Sequence, residues 1–254
     1  MSQTVRPSSI FDAKRTPFHA ITEDGIDLIG EVAAPLGASK GAILCLHPLP
    51  TAGGMMDSHV YKKAANRLPA MAGITVVRFN TRGTASEAGS STGQFDNGVS
   101  ERFDVEAMLR YCFDTLKLEN LWVTGWSFGT DLALQHAKDP RHKGLILLSP
   151  PLRTSEPSDL QYWNTDGRPV FTLVPELDDY LQPPEAAKRF AVIKNHHMIA
   201  VDGAKHLWVG EPAVNRVLTE ITQIIAPNRL PLPTEIKPFM RYRFLGKLPH
   251  LKSI

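Results

Sequence analysis

Short runs of apolar and β-branched residues alternate along the chain with longer stretches whose apolar positions recur every three to four residues. The first kind predicts strands over residues 26–33, 42–47, 74–79, 121–124, 144–148, 170–174 and 198–201. The second predicts helices near 58–70, 101–116, 128–138, 184–191 and 213–225. Several strand runs, such as Ala42-Ile43-Leu44-Cys45-Leu46, are apolar throughout, as expected when helices cover both faces of a sheet. Regular alternation of strand and helix implies an α/β fold with a mostly parallel central sheet flanked by helices. Two gaps interrupt the pattern. Residues 81–99 are rich in Gly, Ser and Thr and form either a plain surface connection or part of the rim of a site. Residues 149–168 separate two strands with room for one short helical turn around 159–163, which excludes an inserted lid domain.

Composition narrows the class. The 254 residues, 43% hydrophobic and 21% charged, suffice for one domain with a sizeable core and exclude a disordered segment. Two cysteines, Cys45 and Cys112, both inside apolar runs, exclude a disulfide-rich scaffold and imply a reduced, cytoplasmic setting. The first twenty residues mix charge, proline and polar groups and offer no signal peptide or anchor, and no later run approaches the ~20 apolar residues that cross a bilayer. The formal charge of +2 averages over an uneven chain. Between residues 227 and 254, Arg229, Lys237, Arg241, Arg243, Lys247 and Lys252 face a lone acidic residue, Glu235, a local charge of +5 that leaves −3 for residues 1–226. The expected organisation is a folded domain over 1–226, with its core over about 25–225, and a basic extension over 227–254.

Chemistry enters at Gly125-Trp126-Ser127-Phe128-Gly129, between a strand and a helix. The bare GxSxG pattern is weak. Its position is what carries meaning, because a serine on a sharp strand-to-helix turn projects above the sheet at a helix N-terminus, and small neighbours let the two arms approach. A serine nucleophile needs a base. His136 is carried away along the following helix, His142 precedes a strand at the wrong end, and His250 lies in the extension. His196 and His197 are adjacent on a strand, point to opposite faces and are too close in sequence to chelate a metal together. His206, on the loop leaving the last strand, remains. The acid that orients it should follow another strand, where Pro175-Glu176-Leu177-Asp178-Asp179-Tyr180 offers Asp178 and Asp179, with Glu176 as third choice. Donors for an oxyanion are the N–H of Phe128, after the nucleophile, and that of Leu49, since Pro48 and Pro50 have none. His47, at a strand end before Pro48, reads as a hydrogen-bonding pin for its loop.

His47-Pro48-Leu49-Pro50, Gly53-Gly54-Met55-Met56-Asp57, Val77-Arg78-Phe79-Asn80-Thr81-Arg82-Gly83, the serine turn, Asp178-Asp179-Tyr180 with its prolines, and Gly203-Ala204-Lys205-His206 follow one another in order. Over about residues 25–225 the chain resembles the small, lidless, dienelactone-hydrolase-like branch of the α/β-hydrolase superfamily. The order Ser127, Asp178, His206 is the order of that fold's triads. The resemblance implies Asp178 as the acid, although Pro175 stands where glycine is common and Gln182 where proline is. It implies little about substrate. Arg78, Asn80 and Arg82 match a strand-end motif and either stiffen the loop beneath the site or bind substrate. Trp126 and Trp208 either wall the substrate pocket or pack in the core, and Tyr162 and Trp163 are further candidates for the mouth.

The expected activity is that of a serine hydrolase acting on an ester or thioester of a small or exposed acyl substrate, without cofactor, metal or nucleic acid. A non-catalytic binding or scaffold role on the same fold is the alternative. The extension, which interleaves basic residues with Phe239, Tyr242, Phe244 and Leu245, is either a strap, on the acidic body or across a homo-oligomer, or a docking segment for an acidic partner.

Overall fold

The computed structural model describes residues 2–236. The apolar runs pair into one sheet of eight strands: β1 (Lys14–Ile21), β2 (Asp27–Ala34), β3 (Gly41–Leu46), β4 (Ile74–Phe79), β5 (Leu121–Trp126), β6 (Leu145–Leu148), β7 (Val170–Leu177) and β8 (His196–Lys205). Their spatial order is β8-β7-β6-β5-β3-β4-β2-β1. All neighbours from β8 to β4 are parallel, while β2 runs antiparallel to both β4 and β1. Every residue of β3, β4, β5 and β6 is buried, which explains why these strands read as unbroken apolar runs.

Helices α1 (His59–Met71) and α6 (Glu211–Ile225) bury Val60, Leu68, Val214 and Ile221 against one face of the sheet. On the other face lie α2 (Glu101–Arg110), continued by a wider turn over Tyr111–Thr115, α3 (Phe128–His136), α4 (Pro157–Asp166) and α5 (Pro183–Phe190). Helix α4 is longer than the single turn expected. Pro157 begins it, and the Asp159 carboxylate reaches back to the Glu156 N–H at 3.0 Å. One ten-residue helix between β6 and β7 is still far short of a lid.

Strand β1 has no counterpart in the sequence reading. Lys14-Arg15-Thr16-Pro17 looks irregular, but at a sheet edge one side of the strand faces solvent, where charge and proline are tolerated. Gln3–Thr4 pairs with Glu235–Ile236, so segments on both sides of the expected core meet. The strap, oligomer and docking roles expected of the extension from Lys237 onward lie outside the described residues.

Because β3 to β8 run parallel, their C-terminal ends share one edge. The segments following them, beginning at His47, Asn80, Ser127, Ser149, Asp178 and His206, are thereby gathered above that edge.

Candidate active site

Ser127 sits between β5 and α3 with φ +52° and ψ −118°, a backbone conformation costly for a residue with a side chain. Its glycine neighbours answer to close approach. A Cβ on Gly125 would lie 2.3 Å from the Gly129 carbonyl oxygen, and one on Gly129 would lie 2.0 Å from the Leu46 carbonyl oxygen. The serine turn is wedged between α3 and β3 with no room for either methyl.

His206 places Nε2 2.8 Å from Ser127 Oγ and Nδ1 3.0 and 2.9 Å from the two carboxylate oxygens of Asp178. Asp178 Oδ1 also accepts the N–H groups of Tyr180 at 2.8 Å and Leu181 at 3.3 Å. Burial pushes the Asp178 carboxyl up, but the hydrogen bond from His206 and the two backbone N–H groups outweigh it and hold the group below its ordinary 3.8. An ionised carboxylate only accepts, so His206 Nδ1 carries the proton and Nε2 is left as acceptor for the Ser127 hydroxyl. That arrangement can draw a proton from serine and return it to another oxygen or sulfur. Asp179, the runner-up, is exposed and shares no hydrogen bond with His206, and Glu176 instead accepts the Gly203 N–H at 2.7 Å.

Ser127 and His206 open into a cavity of about 180 Å³ walled by Leu49, Phe95, Phe128, Pro151, Tyr180 and Leu207. Phe128, at the first position of α3, has no helical partner for its N–H, and it borders the same cavity as Leu49. Residues 81–99 serve both expected purposes: positions 87–90 and 92–94 are exposed connection, pinned by buried Thr81, Thr84 and Ser91, while Phe95 and Asn97 face the cavity. Neither Phe95 nor the 151–154 wall carries a sequence signal beyond its place after a strand end. A larger hollow of about 500 Å³, bordered by Leu36, Lys40 and Gly73, lies at the opposite, N-terminal edge of the strands, away from Ser127 and His206.

No family model matches the chain. Among curated proteins, an uncharacterised protein of Rickettsia prowazekii is 28% identical over 187 residues, spanning 70% of this chain and 76% of its own length. An α/β serine hydrolase homologue from Coxiella burnetii superposes with a TM-score of 0.67 at 24% identity, covering 84% of this chain and 96% of its own. A lidless α/β serine hydrolase from Xanthomonas campestris gives 0.67 at 24% identity over 89% and 100%. This chain has the lidless α/β-hydrolase fold. An esterase from Pyrococcus furiosus shares it with a TM-score of 0.68 at 17% identity, over 86% of this chain and 97% of its own.

Within the α/β-hydrolase frame the remaining candidates fall into supporting places. His47 is fully buried; Nδ1–H donates to the Pro48 carbonyl at 2.7 Å and Nε2 accepts the Thr81 N–H at 3.1 Å, while burial pushes its imidazole down to about 4. It is a neutral pin between two loops. Arg78 binds Asp57 and Glu31, each at 2.7 Å; Asn80 accepts the Met56 N–H at 2.9 Å; Arg82 pairs with Asp24 and Asp104 at 2.8 Å. These hydrogen bonds brace the segments beneath the site, and none of the three residues borders the cavity.

The pocket expectation for Trp126 and Trp208 is corrected. Trp126 precedes Ser127 on β5 and so points to the opposite face, where it is 2% exposed and packs edge-on against Tyr61 and His59. Its Nε1–H donates to the His206 carbonyl at 3.2 Å, and Ser149 Oγ donates to the same carbonyl at 3.0 Å. Trp208 is fully buried in the same cluster, with its carbonyl 3.2 Å from His59 Nε2. Tyr162 and Trp163 lie on α4 and bond to the carbonyls of Lys138 and Leu134, away from the cavity. Among the described residues there is no cluster of three or more metal-ligating side chains and no helix long and apolar enough to cross a membrane.

Proposed function

We propose that the protein is a serine hydrolase that cleaves a carboxylic ester or thioester of a small or exposed acyl substrate through an acyl-enzyme on Ser127. The observation that carries this reading is the continuous chain of hydrogen bonds from Ser127 Oγ through His206 to Asp178, with the serine end open to a cavity. As Ser127 Oγ bonds to the substrate carbonyl carbon, its proton passes to His206 Nε2 and the carbonyl π electrons move to oxygen. The N–H groups of Leu49 and Phe128 are assigned to that oxyanion. Collapse breaks the bond to the alkoxide or thiolate, which leaves with the proton from His206. Water then enters, gives a proton to His206 and attacks the acyl carbon. Release of the carboxylic acid returns the proton to Ser127. Asp178 stays ionised throughout and steadies the imidazolium.

The serine hydrolases and the esterase that share the fold support the class of reaction, and the absence of an inserted domain between β6 and β7 supports an open site. A purely binding role would have no use for the strained turn at Ser127. A screen of p-nitrophenyl esters, acyl thioesters and lactones tests the reading: at least one class is turned over by the wild type, and Ser127→Ala lowers kcat by about 10⁴-fold or more. Turnover that survives Ser127→Ala would contradict it.

A further inference from the structure

The floor of the cavity is set by the serine turn, but two of its walls, residues 95–97 and 151–154, are loops without a strand ladder to hold them. Such segments drift unless something fixes them. Here each is held by a carboxylate with no solvent exposure. Glu101, the first residue of α2, accepts the Asp96 N–H on one oxygen and the Gly98 N–H on the other, both at 2.8 Å. Asp131, one turn beyond Ser127 on α3, accepts Ser155 Oγ–H at 2.6 Å and Ser155 N–H at 3.0 Å, with longer contacts of 3.4 Å from the N–H groups of Thr154 and Arg153. His136, farther along α3, donates from Nε2 to the Gly98 carbonyl at 2.7 Å. Both walls are therefore referenced to the helix that begins at the nucleophile. The Phe95 ring packs edge-on against Phe128 with centroids 5.5 Å apart.

On the serine-hydrolase reading, His206 must hand its proton to the leaving group, so the leaving group lies at the Tyr180 and Leu207 end. The acyl group then extends the other way, toward Phe95, Phe128 and Pro151, where Asn97, Asp131, Arg153 and Thr154 also border the cavity. We infer that this acyl side accepts short acyl groups, and that Asp131 and Glu101 are positioning residues that set its length limit by clamping its two loop walls. A cavity of about 180 Å³ shared between acyl and leaving groups leaves room for a few carbons on each side. Burial drives the Asp131 carboxyl above its ordinary 3.8 despite the donors around it.

The test is kcat/KM for p-nitrophenyl acetate, butanoate, hexanoate and octanoate on the full chain and on Asp131→Asn, Glu101→Gln and Ser155→Ala, with folding checked by circular dichroism. The wild type is expected to favour the two shorter esters. In Asp131→Asn the octanoate-to-acetate ratio rises by about tenfold, mostly through KM, with a smaller rise in Glu101→Gln and Ser155→Ala. Should Asp131→Asn fail to fold, Ser155→Ala decides, since it removes one hydroxyl from an otherwise intact clamp. Turnover with an unchanged ratio in the folded variants, or no chain-length preference in the wild type, overturns the clamp alone. Absence of p-nitrophenyl ester turnover by a wild type whose Ser127 still takes up a fluorophosphonate overturns the acyl-side inference alone; absence of both overturns the hydrolase reading and the clamp with it.

Discussion

Ser127 and Trp126 are neighbours on the chain with opposite fates, one aimed into the cavity and the other into the core behind it. The tryptophan holds its indole N–H on the His206 carbonyl, so it acts on the proposed base through the backbone. Trp126→Phe keeps the packing and removes that donor. The expected result is a kcat lower by about fivefold at nearly constant KM, since a neutral hydrogen bond contributes roughly 1 kcal/mol; a change confined to KM would place Trp126 in substrate binding instead. Asp178 and Asp179 form a second contrasting pair. Asp178→Asn should lower kcat by about 10⁴-fold across about pH 5 to about pH 8, because a carboxylate held below 3.8 does not titrate there. Its stabilising contribution is fully present above 3.8 and is lost as the pH falls through the lower folded value. Asp179→Asn, at an exposed position, should stay within about twofold of wild type. The serine and histidine were legible because turn and loop positions left few rivals. The choice between the aspartates was not, because adjacent residues on a turn differ only in direction.

At the scale of elements, strands buried on both faces announce themselves as apolar runs, and β3, β4, β5 and β6 were expected to within two residues at either end. Strand β1 was hidden because its register with β2, not its own composition, makes it a strand. The braces between elements were half visible: Arg82 matched a motif, but its partners Asp24 and Asp104 sit on other segments and carry no mark of their own. Asp104, with no exposure, is lifted to about 6 by burial even with Arg82 beside it. Removing the guanidinium by Arg82→Ala strands that carboxylate between the end of β4 and α2. We expect a loss of about 3 kcal/mol or more in urea unfolding, whereas a loss under about 1 kcal/mol would mean the pair contributes little.

For the whole molecule, the response to pH is a balance between buried bases and buried acids. His47 and His142 are driven down to about 4 by burial, so between about 4 and 6.5 the unfolded chain takes up protons that the folded chain refuses, and stability falls as the pH drops. Asp104, raised to about 6, works in the opposite sense, because folded protein holds its proton more tightly. His47→Gln separates the two. Its urea midpoint should fall less between about pH 7 and about pH 5 than that of the wild type, and an equal fall would show that His47 is not the neutral pin described above.

The central claim is that Ser127 is a nucleophile activated by His206 and Asp178. Intact mass after incubation with a fluorophosphonate measures this most directly. One covalent adduct is expected, located on Ser127, absent from Ser127→Ala and slowed by orders of magnitude in His206→Ala; a folded wild type that takes up no adduct, or takes it up on another residue, would contradict this activation.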